Sequence, residues 1–177
     1  GLITYMRTDS TRISKEMQVM AKDFILRNYG EEYYPSKPNV YGSKGSAQDA
    51  HEAIRPTSLE LTPKMVEPFL SRDELKLYTL IWNRFMASQM APQQNESTTI
   101  ELNVKDDYTF KATGSRVIFP GFSAVYEDVK KEDAPQLPAL KKNDAAHTVE
   151  VLPEQHFTQP PPRYSEASLI KTLEELG

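Results

Sequence analysis

The feature that most limits what this chain can fold into is a change of period at Pro92-Gln93-Gln94-Asn95. Before it, apolar residues return every third or fourth position, the repeat of a helix with one buried face. After it, Thr98, Ile100, Leu102 and Val104 alternate with Thr99, Glu101 and Asn103, the repeat of a strand with one wet face. Tyr108, Phe110 and Ala112 resume that alternation after Lys105-Asp106-Asp107, so an antiparallel hairpin is expected. Helices first and strands afterwards give an α+β fold rather than alternating βαβ units.

On the helical side, Ser71-Arg72-Asp73-Glu74 has the spacing of a capping box, with Ser71 as N-cap and Glu74 at N3. It opens a helix to about Met90, with Leu77, Leu80, Ile81 and Phe85 as the apolar stripe and Trp82, the only tryptophan, packed on another segment. Ser14 caps an earlier helix over Lys15–Tyr29 whose stripe is Met17, Met20, Phe24 and Ile25, and Gly30 ends it in left-handed backbone. Between them, Tyr33, Tyr34, Lys37, Tyr41 and Lys44 lie in loop chemistry. There, tyrosines either pack at the loop base or stack on bases beside lysine–phosphate contacts.

On the strand side, Val117-Ile118-Phe119 and Phe122–Tyr126, split by Pro120-Gly121, read as two further strands, and His147–Leu152 as another alternating segment. Lys130–Asp144 is a charged, proline-bearing loop and Gln159–Arg163 an extended strap. Ser165 caps a last helix that is apolar at Leu169, Ile170, Leu173 and Leu176. The expected divisions are 1–91, a helical domain; 92–162, an antiparallel β region; and 163–177, a helix leading elsewhere. The stretch Met90–Asn95, between the second helix and the first strand, offers few apolar contacts, and a hinge is expected near Ala91–Asn95.

The 177 residues contain no cysteine, which excludes disulfides, thiolate metal sites and a cysteine nucleophile. No apolar run reaches the roughly 18 residues that a membrane helix needs. Net charge is −4, against the basic surface of a nonspecific nucleic-acid coat. The charge is uneven: residues 1–91 carry 12 Lys and Arg against 11 Asp and Glu, whereas 92–177 carry 9 against 14. Nucleic-acid contact, if any, belongs to local patches of the first half.

The residues with chemistry to offer open the chain. Leu2-Ile3-Thr4 enters as a short buried strand, and Tyr5 and Arg7, at i and i+2, then share a face if the backbone stays extended. Asp9 joins them if the strand continues, ringed by Thr8, Ser10, Thr11 and Ser14. A phenol, with an ordinary pKa near 10, needs its anion stabilised before it is a nucleophile. A guanidinium clamps two phosphate oxygens. Together they suit phosphoryl transfer to tyrosine, although the same pair also fits packing plus a surface ion pair. Downstream, His51, Glu52 and Arg55 precede Pro56; a helical turn would put His51 and Arg55 on one face. Arg55 is equally suited to an internal ion pair and to a phosphate.

Leu2-Ile3-Thr4-Tyr5-Met6-Arg7-Thr8-Asp9-Ser10 resembles the active-site tyrosine motif of the type IA DNA topoisomerases. Ala50-His51-Glu52-Ala53-Ile54-Arg55-Pro56-Thr57 and Arg163-Tyr164-Ser165-Glu166-Ala167-Ser168-Leu169-Ile170 resemble two later blocks of that family, in order. Met6 stands where its topoisomerase III branch tends to carry proline, which favours the bacterial topoisomerase I branch. The resemblance implies a central piece of a longer cytoplasmic, nucleoid-associated enzyme: the tyrosine-bearing domain and part of the strand-rich arch of a toroid. It implies Tyr5 as nucleophile, Arg7 as stabiliser of charge at phosphorus and His51 as a phosphate-binding group. Thr8, Asp9, Ser10 and Arg55 become DNA-contact candidates. Magnesium is implied with ligands outside this chain, and single-stranded and negatively supercoiled DNA and the enzyme's other domains are the implied partners. The residues alone leave open a noncatalytic DNA-binding module and a protein-interaction domain.

Overall fold

The computed structural model describes residues 1–8, 10–41, 51–104, 108–126 and 137–176. Helix α1 spans Lys15–Asn28, and the Ser14 hydroxyl accepts the Met17 N–H at 3.3 Å. The N–H groups of Tyr29 and Gly30 both close on the Ile25 carbonyl. Gly30 has the positive φ expected of a helix-ending glycine, but with ψ at 168° it is extended rather than left-handed helical. The buried face of α1 is Met17, Ala21, Phe24 and Ile25. Met20, expected in that stripe, is 48% exposed; Ala21, one turn beyond Met17, occupies the face instead.

After a short helix α2 (Pro63–Val66), helix α3 runs from Arg72 to Gln89. The Ser71 N–H and hydroxyl both donate to the Glu74 carboxylate, so the expected capping box forms. The buried stripe is Tyr78, Trp82, Phe85, Met86 and Gln89. Leu77 and Leu80, expected inside, are exposed. The helix is turned so that Tyr78, Trp82 and Phe85 face inward, and the polar tips of Tyr78 and Trp82 find acceptors there. Tyr78 Oη donates to the Leu61 carbonyl at 2.6 Å, and Trp82 Nε1 to that of Leu59 at 3.4 Å. Trp82 meets Phe24 of α1 edge to face at 5.7 Å. Leu59, Val66, Met90 and Val125 complete the core.

Strands β1 (Gln94–Val104) and β2 (Tyr108–Phe119) form a two-stranded antiparallel ribbon. Its register places Ile100 opposite Ala112, Leu102 opposite Phe110 and Val104 opposite Tyr108 on one face. Thr99–Thr113, Glu101–Lys111 and Asn103–Thr109 share the other. The expected alternation is there, but both faces are exposed over most of their length. Val117–Phe119 is the end of β2, not a separate strand, and Gly121–Val125 is a 3₁₀ turn where a strand was expected. Gly121, with φ +51°, bends the chain back so closely that a Cβ there would lie 2.4 Å from the Pro92 carbonyl oxygen.

That bend packs on the first residues of the expected hinge, Ala91 and Pro92. Met90 and Ala91 are buried. The Ala91 N–H donates to Tyr33 O and its carbonyl accepts the Phe122 N–H, both at 2.8 Å. Asn39 Nδ2 donates to the carbonyls of Ser88 and Met90, and the Tyr33 ring lies 4.9 Å from that of Phe119. Three segments hold the junction. The tyrosines of the preceding loop are likewise engaged: Lys22 Nζ sits over Tyr34, and Tyr41 Oη donates to Ser88 O. Burial raises the Tyr41 phenol above its ordinary range, partly offset by the positive charge of Arg84. Lys44 lies outside the described residues.

By compactness the chain divides into Gly1–Leu140 and Lys141–Gly177. In the second unit, helix α4 spans Glu166–Leu176, and the Ser165 hydroxyl accepts the Ser168 N–H as the sequence leads one to expect. Leu169, Ile170, Leu173 and Leu176 are all exposed. Residues 147–152 take no strand conformation; an alternating pattern without a neighbour to complete its hydrogen bonds stays irregular. Of the loop expected at 130–144, residues 130–136 lie outside the described residues.

Candidate active site

The first residues and the segment after residue 50 run side by side. Ile3 pairs with Pro56 in an isolated antiparallel bridge, flanked by hydrogen bonds from Thr4 N to Arg55 O and from Thr57 N to Leu2 O, both 2.9 Å. Leu2–Thr4 is half-buried rather than a buried strand. The Thr4 hydroxyl adds two bonds, donating to Ala53 O at 2.9 Å and accepting the Arg55 N–H at 3.0 Å. Further on, Ala53 N donates to Arg12 O, and the Ser10 hydroxyl donates to His51 O at 2.7 Å.

Extended backbone does not continue through the motif. The Arg7 N–H closes on the carbonyl of Tyr5 at 3.0 Å, a three-residue turn that ends the strict alternation on which a common face for Tyr5, Arg7 and Asp9 was argued. Asp9 itself lies outside the described residues. Tyr5 is 79% exposed, so its phenol is presented to whatever approaches this surface. Thr8 is exposed as well, whereas Ser10 is buried.

Residues 51–55 are not helical, contrary to the expected turn. They are extended by their pairing with residues 2–12, and His51 and Arg55 therefore do different things. Arg7 Nη1 lies 3.4 Å from His51 Nε2. A guanidinium only donates, so in this contact Nε2 can only be the acceptor. His51 Nδ1 is buried, with no hydrogen-bond partner among the described residues. Arg55 turns to Glu52: Nε and Nη2 both meet Glu52 Oε2, and Nη1 donates to the Pro56 carbonyl at 3.0 Å. Both side chains of that pair are largely buried. Burial pushes the Glu52 carboxyl up, but the hydrogen bond and charge of Arg55, with the Ser14 hydroxyl and Arg12, outweigh it and hold the carboxyl below its usual range.

The segment thus carries an exposed phenol two residues from an arginine–histidine contact, and a Glu–Arg pair and two hydroxyls hold the stretch that bears His51. Sequence reasoning passed over Thr4 and the bracing role of Glu52. The Glu–Arg spacing of three was their only local signal, and a helical reading of it would have been mistaken. Among the described residues, no three His, Asp or Glu side chains converge, so none of them is assigned to a metal ion. No described helix is long and apolar enough to cross a membrane.

The family model described as DNA topoisomerase matches residues 1–177. DNA topoisomerase 1 of Xylella fastidiosa (strain Temecula1) is 47% identical over 185 residues, covering all of this chain and 23% of that protein. DNA topoisomerase 1 of Vibrio cholerae is 48% identical over 177 residues, covering all of this chain and 20% of the relative. Full-length topoisomerase I from Thermotoga maritima superimposes with a TM-score of 0.72 at 37% identity, over 99% of this chain and 28% of that one. The chain spans between a fifth and a quarter of the curated relatives it matches. It belongs to the bacterial DNA topoisomerase I family.

Proposed function

We propose that this chain is the tyrosine-bearing part of a type IA DNA topoisomerase and that Tyr5 is its nucleophile. The observation that carries this reading is the exposed Tyr5 phenol two residues from a guanidinium in contact with an imidazole. Attack of the Tyr5 oxygen on a DNA phosphorus forms a 5′-phosphotyrosine and releases the 3′-oxygen, which takes up a proton. The phenolic proton leaves as the new O–P bond forms. The reverse attack by the 3′-hydroxyl restores the strand and frees the tyrosine. One phosphodiester is exchanged for another at each step, so relaxation of negatively supercoiled DNA needs no ATP.

Arg7 supplies fixed positive charge where negative charge accumulates on the phosphoryl oxygens, an interaction commonly worth about 3–4 kcal/mol when one such donor is deleted. His51, through its contact with Arg7, orients that guanidinium toward the phosphate. Thr8, exposed next to them, is placed to contact the DNA backbone. Arg55 braces the segment carrying His51 rather than meeting DNA. Magnesium, on this reading, is held by acidic residues outside this chain. The substrate is DNA with a single-stranded stretch that reaches Tyr5, and the remaining domains of the same enzyme grip the other side of it.

The test is Tyr5→Phe in the full-length enzyme, a change that removes one oxygen and almost no volume. The variant should bind DNA and form no covalent adduct on denaturing electrophoresis. A covalent adduct at wild-type level would mean that another residue is the nucleophile.

A further inference from the structure

We propose that Ser10 is a positioning residue: its hydroxyl fixes the main chain at His51 so that the imidazole meets Arg7. The proposal rests on the reading above only for its consequence in catalysis; the geometry stands apart from it. Ser10 is 7% exposed, and with Gln89 it makes up the buried polar residues among those described. Its hydroxyl has one proton to give and lone pairs to receive. It donates to His51 O at 2.7 Å and accepts the Arg12 N–H at 3.2 Å.

The two ends of the Tyr5 segment are held in the same way. Before it, the Thr4 hydroxyl ties to Ala53 and Arg55; after it, the Ser10 hydroxyl ties to His51. The Thr4 attachment is doubled by main-chain bonds at Thr4 N and Thr57 N. At His51 the carbonyl has, besides Ser10, only Arg12 Nε at 3.5 Å among the described residues, a marginal contact. The residue that Ser10 grips is also the one whose side chain reaches Arg7, and that contact is already long at 3.4 Å. Freedom gained by the His51 backbone therefore passes directly to the imidazole. A hydroxyl turned inward and engaged on both sides is poorly placed for a DNA phosphate, the role that the motif alone suggests.

The first experiment is ¹⁵N NMR of the His51 ring in the full chain, comparing wild type, Ser10→Ala, Ser10→Thr and Thr4→Val. Wild type should show one well-defined set of ring signals, Ser10→Ala an averaged pattern, and Ser10→Thr, which keeps the hydroxyl, a return toward wild type. Thr4→Val loosens the same pair of segments without touching His51 and should leave the ring signals in place. An unchanged His51 pattern in Ser10→Ala, or an equal change in Thr4→Val, overturns the proposal. In the full-length enzyme, Ser10→Ala should lower kcat about tenfold to a hundredfold, the scale of a displaced catalytic group, with KM little changed. A raised KM at unaltered kcat would instead make Ser10 a direct DNA contact. Should Tyr5→Phe still form the adduct, the functional reading fails while the NMR result is unaffected.

Discussion

The helical body and the β ribbon are built from equally clear sequence patterns, yet they end in opposite states. α1 and α3 bury their inner faces against each other and against Leu59, Val66 and Val125. The ribbon keeps Leu102, Val104, Tyr108 and Phe110 on one face and leaves them exposed. Periodicity specifies which residues share a face; it does not supply the surface that covers them. A two-stranded ribbon cannot bury its own apolar face, since its strands lie side by side in one layer. Where the two regions meet, at Met90–Pro92, a hydrogen bond to the Tyr33 carbonyl and bonds from Phe122 N and Asn39 Nδ2 hold the ribbon's base to the body.

The contrast is broken most forcefully from the body. Trp82→Ala removes a side chain 5% exposed between α1 and α3 and should cost about 3–5 kcal/mol of unfolding free energy, read by urea denaturation of the chain. A loss below about 1 kcal/mol would mean that the core does not carry the stability.

Gly121→Ala attacks the joint. The new Cβ would meet the Pro92 and Ala91 carbonyl oxygens at 2.4 and 2.6 Å in backbone of φ +51°. The expected cost is about 3 kcal/mol from backbone strain and displacement together. Amide exchange at Ala91 and Phe122 should quicken in the variant. Exchange already fast there in the wild type would favour a hinge at this joint.

Glu52→Gln tests the bracing of the site and should cost about 2 kcal/mol at pH 7, since it leaves the largely buried Arg55 guanidinium without its counter-ion. The sign of its pH dependence is set by the lowered Glu52 pKa. Such a group contributes stability above the ordinary carboxylate range and loses it as pH falls through the folded value. Urea midpoints of wild type and variant should therefore draw together below about pH 4. A constant gap between pH 7 and pH 3 would place the effect elsewhere.

Smallest of all should be Phe110→Ala on the ribbon, where the ring is 60% exposed and the change should stay within about 0.5 kcal/mol in this chain. A loss of 2 kcal/mol would show that the ribbon's apolar face is covered after all.

By itself, the order of residues determined the helices with their caps, the hairpin with its alternating faces, and the motif that singled out Tyr5, Arg7 and His51. These are short-range matters: the Ser71–Glu74 cap and the Leu102–Phe110 alternation are set by residues a few positions apart. Tertiary structure decided what depends on distant partners. It turned α3 so that Tyr78 and Trp82, not Leu77 and Leu80, face inward, because carbonyls of Leu61 and Leu59 wait there for their polar tips. It kept His51–Arg55 out of a helix, because pairing with residues 2–12 satisfies that backbone more than forty positions away. It closed the joint at Ala91, where Tyr33 and Phe122 supply bonds that no local reading of Pro92 contains. And it turned the Ser10 hydroxyl inward: a motif gives a residue's place in the chain, whereas the direction of its hydroxyl follows from the neighbour that folding brings to it.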